Sequence, residues 1–427
     1  MVTFVSLFLW LMTGTHPVTV AVEGPVVAVE ILLDGEKVGV ATPPRWTVDC
    51  DFGTALSPHE LIAVALDAKG EETGRARQVV NLPRPRAEVE IVLEDGSSGS
   101  PGAVRVVSQS ALMEEPESIE VTFDQQVLIR DGETWPLPPF ATDETHLVSA
   151  EAHFPEGVSA RADVSFTGRA GSRVTTELTA VPVVVEGKRH PQVAMLEGRL
   201  RARGQALSVS ALERPGARVY LVRDFTAWPT IKKIGIEMTR RKPFERSFRL
   251  EFADNLPPEA DRFYIVVPSP TIVRQLRIFP IAGPLHLRRF NLPWLVSHAY
   301  VEHAGSQWQL LAEGVAVAGV RAAGGGSPRV VVLLLGEGST QVDRARAREV
   351  REYLAALHVP LVVWSTGDPG TDAWGPAVDV ASPPRLERAC EHLLESLYRQ
   401  WIVWVEGRYL PNQIELDESV EGIRLAR

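Results

Sequence analysis

Asp224 and Glu337 are the residues best placed for chemistry in this 427-residue chain. Each follows an apolar run. Arg218-Val219-Tyr220-Leu221-Val222-Arg223 ends in Asp224, and Phe225-Thr226-Ala227-Trp228 then leads into a helix start. Far downstream, Val330-Val331-Val332-Leu333-Leu334-Leu335 ends in Gly336-Glu337-Gly338. Ligands of an open parallel sheet bind just beyond the carboxyl ends of such strands. If the two runs are neighbours in one sheet, Asp224, Thr226 and Glu337 face one crevice. The plainer role for either acid is to accept N–H bonds at the start of the following helix, where the helix dipole favours negative charge. Enzyme motifs are missing around these residues. Gly336-Glu337-Gly338-Ser339-Thr340 sits where a phosphate loop could, but it lacks the lysine and spacing of that loop. No nucleophile elbow or HExxH pattern occurs, so a hydrolase or a nucleotide-handling α/β enzyme is the disfavoured alternative and the chain reads as non-catalytic.

The bulk composition narrows the partners. Hydrophobic residues make up 45% and charged residues 23%, enough to build cores. The net charge of −10 argues against nucleic acid and against docking on anionic lipid, both of which need a basic face. Arg240, Arg241 and Lys242 read as a solvated surface run. Cys50 and Cys390 fall in different expected domains and form no metal or redox spacing. The apolar stretch Val2-Thr3-Phe4-Val5-Ser6-Leu7-Phe8-Leu9-Trp10-Leu11-Met12 is far shorter than the roughly 20 residues that span a bilayer. Its length suits a signal-peptide core, and hence export to the periplasm, the cell surface or the medium, although no lysine or arginine precedes it. A first strand is the other reading. No other segment is a transmembrane candidate.

The elements that would position the acids come late in the chain. Residues 1–15 are expected to be a signal-peptide remnant and 16–95 a β-sandwich, with Asp34-Gly35 as a hairpin turn. Gly96-Ser97-Ser98-Gly99-Ser100-Pro101-Gly102 reads as a linker. Residues 103–187 read as a second sandwich, in which Pro182 predicts that 178–185 is an edge strand, and His146 and His153 read as structural histidines. Residues 188–216 are expected as bridging strands. From 217 to 427 strands alternate with helices, which predicts a parallel sheet covered on both faces and ending in a strand over Trp401–Val405 and a tail. Helices are expected after Trp228-Pro229, over Trp308–Gly319, after a Ser339 or Thr340 cap, and over Leu386–Leu397.

Two resemblances follow. Val29–Gly39 with Leu61–Gly70 resembles the immunoglobulin-like modules common in bacterial surface and secreted proteins. Leu221–Trp228 with Val330–Gly338 resembles a von Willebrand factor type A domain, and is most similar to bacterial proteins described as VWFA-related. The resemblance implies a doubly wound α/β domain carrying a metal-ion-dependent adhesion site that holds magnesium and captures a carboxylate of a protein partner. Asp224 matches its first aspartate, Thr226 its first serine, and Glu337 its later aspartate. Trp228 stands at the second serine and offers no oxygen, while Ser297 and Ser306 are the candidates for a separate threonine. Magnesium needs an octahedron of oxygens at about 2.1 Å, so the resemblance implies a degenerate site with weak magnesium binding at most. The expected function is non-catalytic protein binding, adhesion or scaffolding, with a purely structural, ion-free module as the alternative.

Overall fold

In the computed structural model the described residues are 2–427, except 7, 9–10, 83–86, 96–99, 111–114, 125, 142–144, 156–157, 168–172, 175–177, 188–190, 242–260, 268–276, 282–291, 299–309, 325, 339–343, 371 and 418–421. The chain forms two compact units, Met1–Pro83 with Thr179–Val405 and Tyr409–Arg427, and Arg84–Leu178 with Glu406–Arg408.

The first unit begins with a sandwich. Val2–Phe4, Thr15–Val22 and Thr47–Asp51 form one sheet, and Glu36–Ala41, Ala28–Leu33, His59–Leu66 and Glu72–Val80 form the other. Alternate residues Val18, Val20, Val29, Ile31, Leu61 and Ala63 point inward, the period of two that a half-buried strand requires. Asp34 and Gly35 both take positive φ, as the hairpin turn there predicts. Val2 pairs with Val22, and Val2 and Phe4 are buried in the sandwich core.

The α/β part of this unit is a six-stranded sheet in the order Arg277–Ile281, Arg262–Val267, Arg218–Arg223, Arg329–Leu335, Leu361–Ser365, Val378–Asp379. All neighbours are parallel except Arg277–Ile281, an antiparallel edge that tolerates Pro280 because an edge proline need not donate to a neighbour. Helices Trp228–Arg241, Leu292–His298 and Pro383–Tyr398 cover one face, packed on Val219, Leu221, Val332 and Leu334. Helices Leu311–Ala323 and Arg344–Ala356 cover the other, packed on Tyr220, Val222, Val331 and Leu333. Burial on both faces explains why these strands read as unbroken apolar runs. The sheet is thus doubly wound, and its strand order reverses between Arg218–Arg223 and Arg329–Leu335. Trp308 and the caps Ser339 and Thr340 lie outside the described residues.

The chain ends depart from expectation. Gln400–Glu406 does not extend the α/β sheet; it joins Val209–Glu213, Leu178–Val185 and Ile423–Leu425 in a separate four-stranded sheet. Gln205–Ala206, Leu200–Ala202 and Ile414–Leu416 form a further three-stranded sheet, and both share a core of Val181, Val183, Leu200, Val403 and Ile414. The expected bridging strands and C-terminal tail are therefore one small β module. Leu178–Val185 is an inner strand, not an edge. Its partner Ile423–Leu425 pairs only with Val183–Val185, beyond the residue that lacks an N–H.

The second unit is a β-sandwich by itself. Thr134–Pro136, Pro101–Ser110 and Ala87–Asp95 form one sheet; Gln126–Val127, Ser118–Phe123, Thr145–Phe154, Val158–Thr167 and Arg173–Val174 form the other. Trp135, Val121, Phe123, Val148 and Phe166 fill its core. Ala87–Asp95 pairs antiparallel with Pro101–Ser110, so the glycine–serine stretch joins the two arms of one hairpin rather than two domains. His146 and His153 lie in this sandwich. His146 bridges Asp124 at 2.7 Å and the Ala141 carbonyl at 2.7 Å, a structural clasp.

Candidate functional site

The two acid-bearing strands are adjacent. Val222 lies opposite Leu333 and Arg223 opposite Leu334, and the Asp224 N–H continues the ladder to the Leu334 carbonyl at 2.8 Å. Asp224 is only 1% exposed. Its Oδ1 accepts the Thr226 N–H at 3.0 Å and its carbonyl accepts the Ala227 N–H at 3.2 Å, which closes the short turn Phe225–Ala227 and launches helix Trp228–Arg241. An extended residue whose carboxylate satisfies an otherwise orphaned N–H is an N-cap, the role anticipated for Asp224 beside ligation.

The second loop lies directly on the first. A Cβ built on Gly336 would meet the Thr226 carbonyl carbon at 2.1 Å, its Oγ1 at 2.2 Å and the Ala227 nitrogen at 2.3 Å. Only glycine permits that approach. The next residue, Glu337, is exposed. Its loop is held from the other side by strand Leu361–Ser365, where the Gly338 N–H donates to the Asp368 carbonyl at 3.0 Å and the Thr366 N–H to the Leu335 carbonyl at 3.0 Å. Three neighbouring strand ends therefore converge at the reversal of strand order. They carry Asp224 with Thr226, Glu337, and Thr366 with Asp368.

The sequence reading missed the third loop. Its signal was the same plan once more, an apolar strand ending in Ser365-Thr366-Gly367-Asp368. Ser297 is not brought to this edge. It is 2% exposed inside helix Leu292–His298, with its Oγ 3.2 Å from the Trp294 carbonyl and 3.0 Å from His298 Nδ1. It packs against Gly235, about two turns along its helix from the Asp224 loop. Ser306 lies outside the described residues.

The surroundings of the Asp224 loop differ from the oxygen-lined loop that the resemblance implies. Trp228 takes the place of a hydroxyl donor, and the Arg223 guanidinium lies 4.4 Å over its indole ring, a cation–π contact that fixes a positive charge beside the loop. The Asp224 carboxylate is already engaged as a cap. Among the described residues no group of three or more His, Cys, Asp and Glu side chains gathers around a common point.

No known family model matches the chain, and no curated protein matches it. Matches exist among solved structures. The chain is similar to the fibronectin(III)-like modules of Clostridium thermocellum CbhA, at 16% identity over 40% of this chain and 95% of that one, with a TM-score of 0.17. It is similar to the central fibronectin-III array of RIM-binding protein, at 9% identity over 40% of this chain and 68% of that one, with a TM-score of 0.27. A third similarity is to proximal thread matrix protein 1 from the mussel byssus, whose structure has a zinc-occupied MIDAS motif. It runs at 10% identity over 48% of this chain and 50% of that one, with a TM-score of 0.26. The chain thus spans half the length of the mussel protein. The architecture rests on strand order and pairing, which define β-sandwich modules together with a doubly wound α/β sheet.

Proposed function

We propose that this chain is a non-catalytic protein-binding or scaffolding protein, built from immunoglobulin-like sandwiches and a von Willebrand A-type domain with a degenerate, ion-independent adhesion edge. The observation that carries this reading is the convergence of three strand ends at the reversal of strand order, with a tryptophan and a fixed guanidinium where an ion site needs oxygens. An edge so tightly packed supports a rigid contact face, with exposed Thr226 and Glu337 as its polar presentation. The non-catalytic part is supported by the composition of the three loops. Residues 224–228, 336–338 and 365–368 contain no histidine or cysteine to act as base or nucleophile. Export of the protein belongs to the same proposal and rests on the apolar stretch Val2–Met12, whose length suits a signal-peptide core. Among the described residues no helix is long and apolar enough to cross a membrane.

Calorimetric titration with magnesium and with manganese tests the ion-independent part. The native chain is expected to give only heats of dilution. Saturable binding that Asp224→Ala abolishes would overturn it and restore a working adhesion site.

A further inference from the structure

A second place in the α/β domain has the chemistry of a binding site. Helix Arg344–Ala356, strand Leu361–Ser365 and the turn at Trp374-Gly375-Pro376 border an open cleft of about 510 Å³. That is within the range of small-ligand pockets. Val359 and Leu361, at the amino end of strand Leu361–Ser365, line it, whereas the edge described above is built on residues beyond that strand's carboxyl end. Leu354, Val359, Val363 and the Trp374 ring make an apolar floor. The rim is cationic. Arg348 is paired with Glu352, Nε to Oε1 at 2.8 Å, whereas Arg351 forms no ion pair among the described residues.

Two details describe the turn beside it. Gly375 has φ of +87°, and a Cβ there would lie 3.3 Å from the Arg351 guanidinium carbon. Glycine suits the turn's positive φ, and the Arg351 guanidinium lies across it. Trp374 is 2% exposed, and its indole Nε1 has no hydrogen-bond partner among the described residues.

We propose that this cavity binds an organic carboxylate carried on a short apolar stem. The Arg351 fork takes the carboxylate, which it can grip through two parallel N–H bonds. The stem lies on the apolar floor, and Trp374 lines the same space. In a chain of net charge −10, this guanidinium rim is a local exception that favours an anion. Neither an inorganic anion nor a neutral apolar molecule satisfies both halves of the lining.

The indole N–H signals of the native chain, read by ¹⁵N-correlated NMR, give a site-specific test. Trp374→Phe removes one peak and so assigns it. Titration with 4-phenylbutyrate is expected to shift the Trp374 peak saturably, while 4-phenylbutanol and inorganic phosphate leave it in place. Arg351→Gln is expected to weaken the binding at least tenfold, and Arg351→Lys by less, with the remaining indole peaks reporting an intact fold in both. No shift with 4-phenylbutyrate overturns the proposal. So does an equal shift with the alcohol or with phosphate, and so does unchanged affinity in Arg351→Gln.

Discussion

At the scale of single residues, the candidate edge depends on an atom that is absent, the Cβ of Gly336. Backbone atoms of Thr226 and Ala227 occupy its place at 2.1 and 2.3 Å, and backbone cannot swing aside as a flexible side chain can. Gly336→Ala is expected to destabilise the protein by about 3 kcal/mol, the upper end of overpacking costs. Gly338→Ala meets nothing within 4 Å but must hold φ near +70°, so it should cost only about 1 kcal/mol. Urea unfolding of the two variants separates a clash from a strained backbone, and the reverse order would mean that the loops do not touch. His358 supplies a second residue-scale prediction. It is 2% exposed, and burial, helped by the Arg329 and Arg427 charges, pushes its imidazole down to about 3 from 6.5. Between those values the unfolded chain takes up a proton that the folded chain refuses. The contribution of His358 to stability is therefore complete above about pH 6.5 and is lost as pH drops toward 3. His358→Asn suits the positive φ of 53° at this position and should flatten that part of the stability–pH curve. An unchanged slope would show that other groups set it.

At the scale of elements, Arg329 ties two helices to the sheet. Its guanidinium donates to the carbonyls of Ala323, Leu357 and His358, which lie at the carboxyl ends of helices Leu311–Ala323 and Arg344–Ala356. Helix ends leave such carbonyls without partners, and this side chain supplies them. Burial pushes the guanidinium down to about 9, still charged at neutral pH. Arg329→Met relieves that burial but orphans three carbonyls, so the net loss should be about 2 kcal/mol. Thermal unfolding that leaves the midpoint unchanged would contradict this. The elements also show what could be read from the sequence. Arg218–Arg223 and Arg329–Leu335 were legible because burial on both faces makes a continuous apolar run, and the glycine or acid that ends it marks the carboxyl edge. The fate of Leu178–Val185 and Gln400–Glu406 was not legible. Antiparallel partners distant in sequence are chosen by shared cores, and nothing in Ile423–Leu425 announces its pairing with Val183–Val185. Asp34–His59 and Asp124–His146 form matching clasps at 2.7 Å, one in each sandwich. In both, the other ring nitrogen meets a backbone carbonyl, so His59 and His146 are structural ties. The Asp–His spacing of 25 and 22 residues was the signal that could have linked the sandwiches as variants of one module.

At the scale of the whole chain, the candidate edge stands on a unit assembled from distant segments. The first sandwich is fastened to helix Arg344–Ala356 by the Tyr353 hydroxyl, which donates to the Asn81 carbonyl at 2.6 Å, and by the Leu56 N–H, which donates to Glu349 at 3.2 Å. Residues 2–83 and the α/β sheet therefore act as one support, whereas the sequence had suggested separate beads. A rigid support suits recognition by a preformed face, which loses little entropy on binding. The most direct test places a photo-cross-linking amino acid at exposed Glu337 in the full chain within its native host, with chelator or magnesium present during irradiation. The account predicts the same cross-linked protein partner, in equal yield, under both conditions. A cross-link that forms only with magnesium would contradict it by showing that the edge works through an ion, and the absence of any cross-linked protein at this position would remove the edge as the contact face.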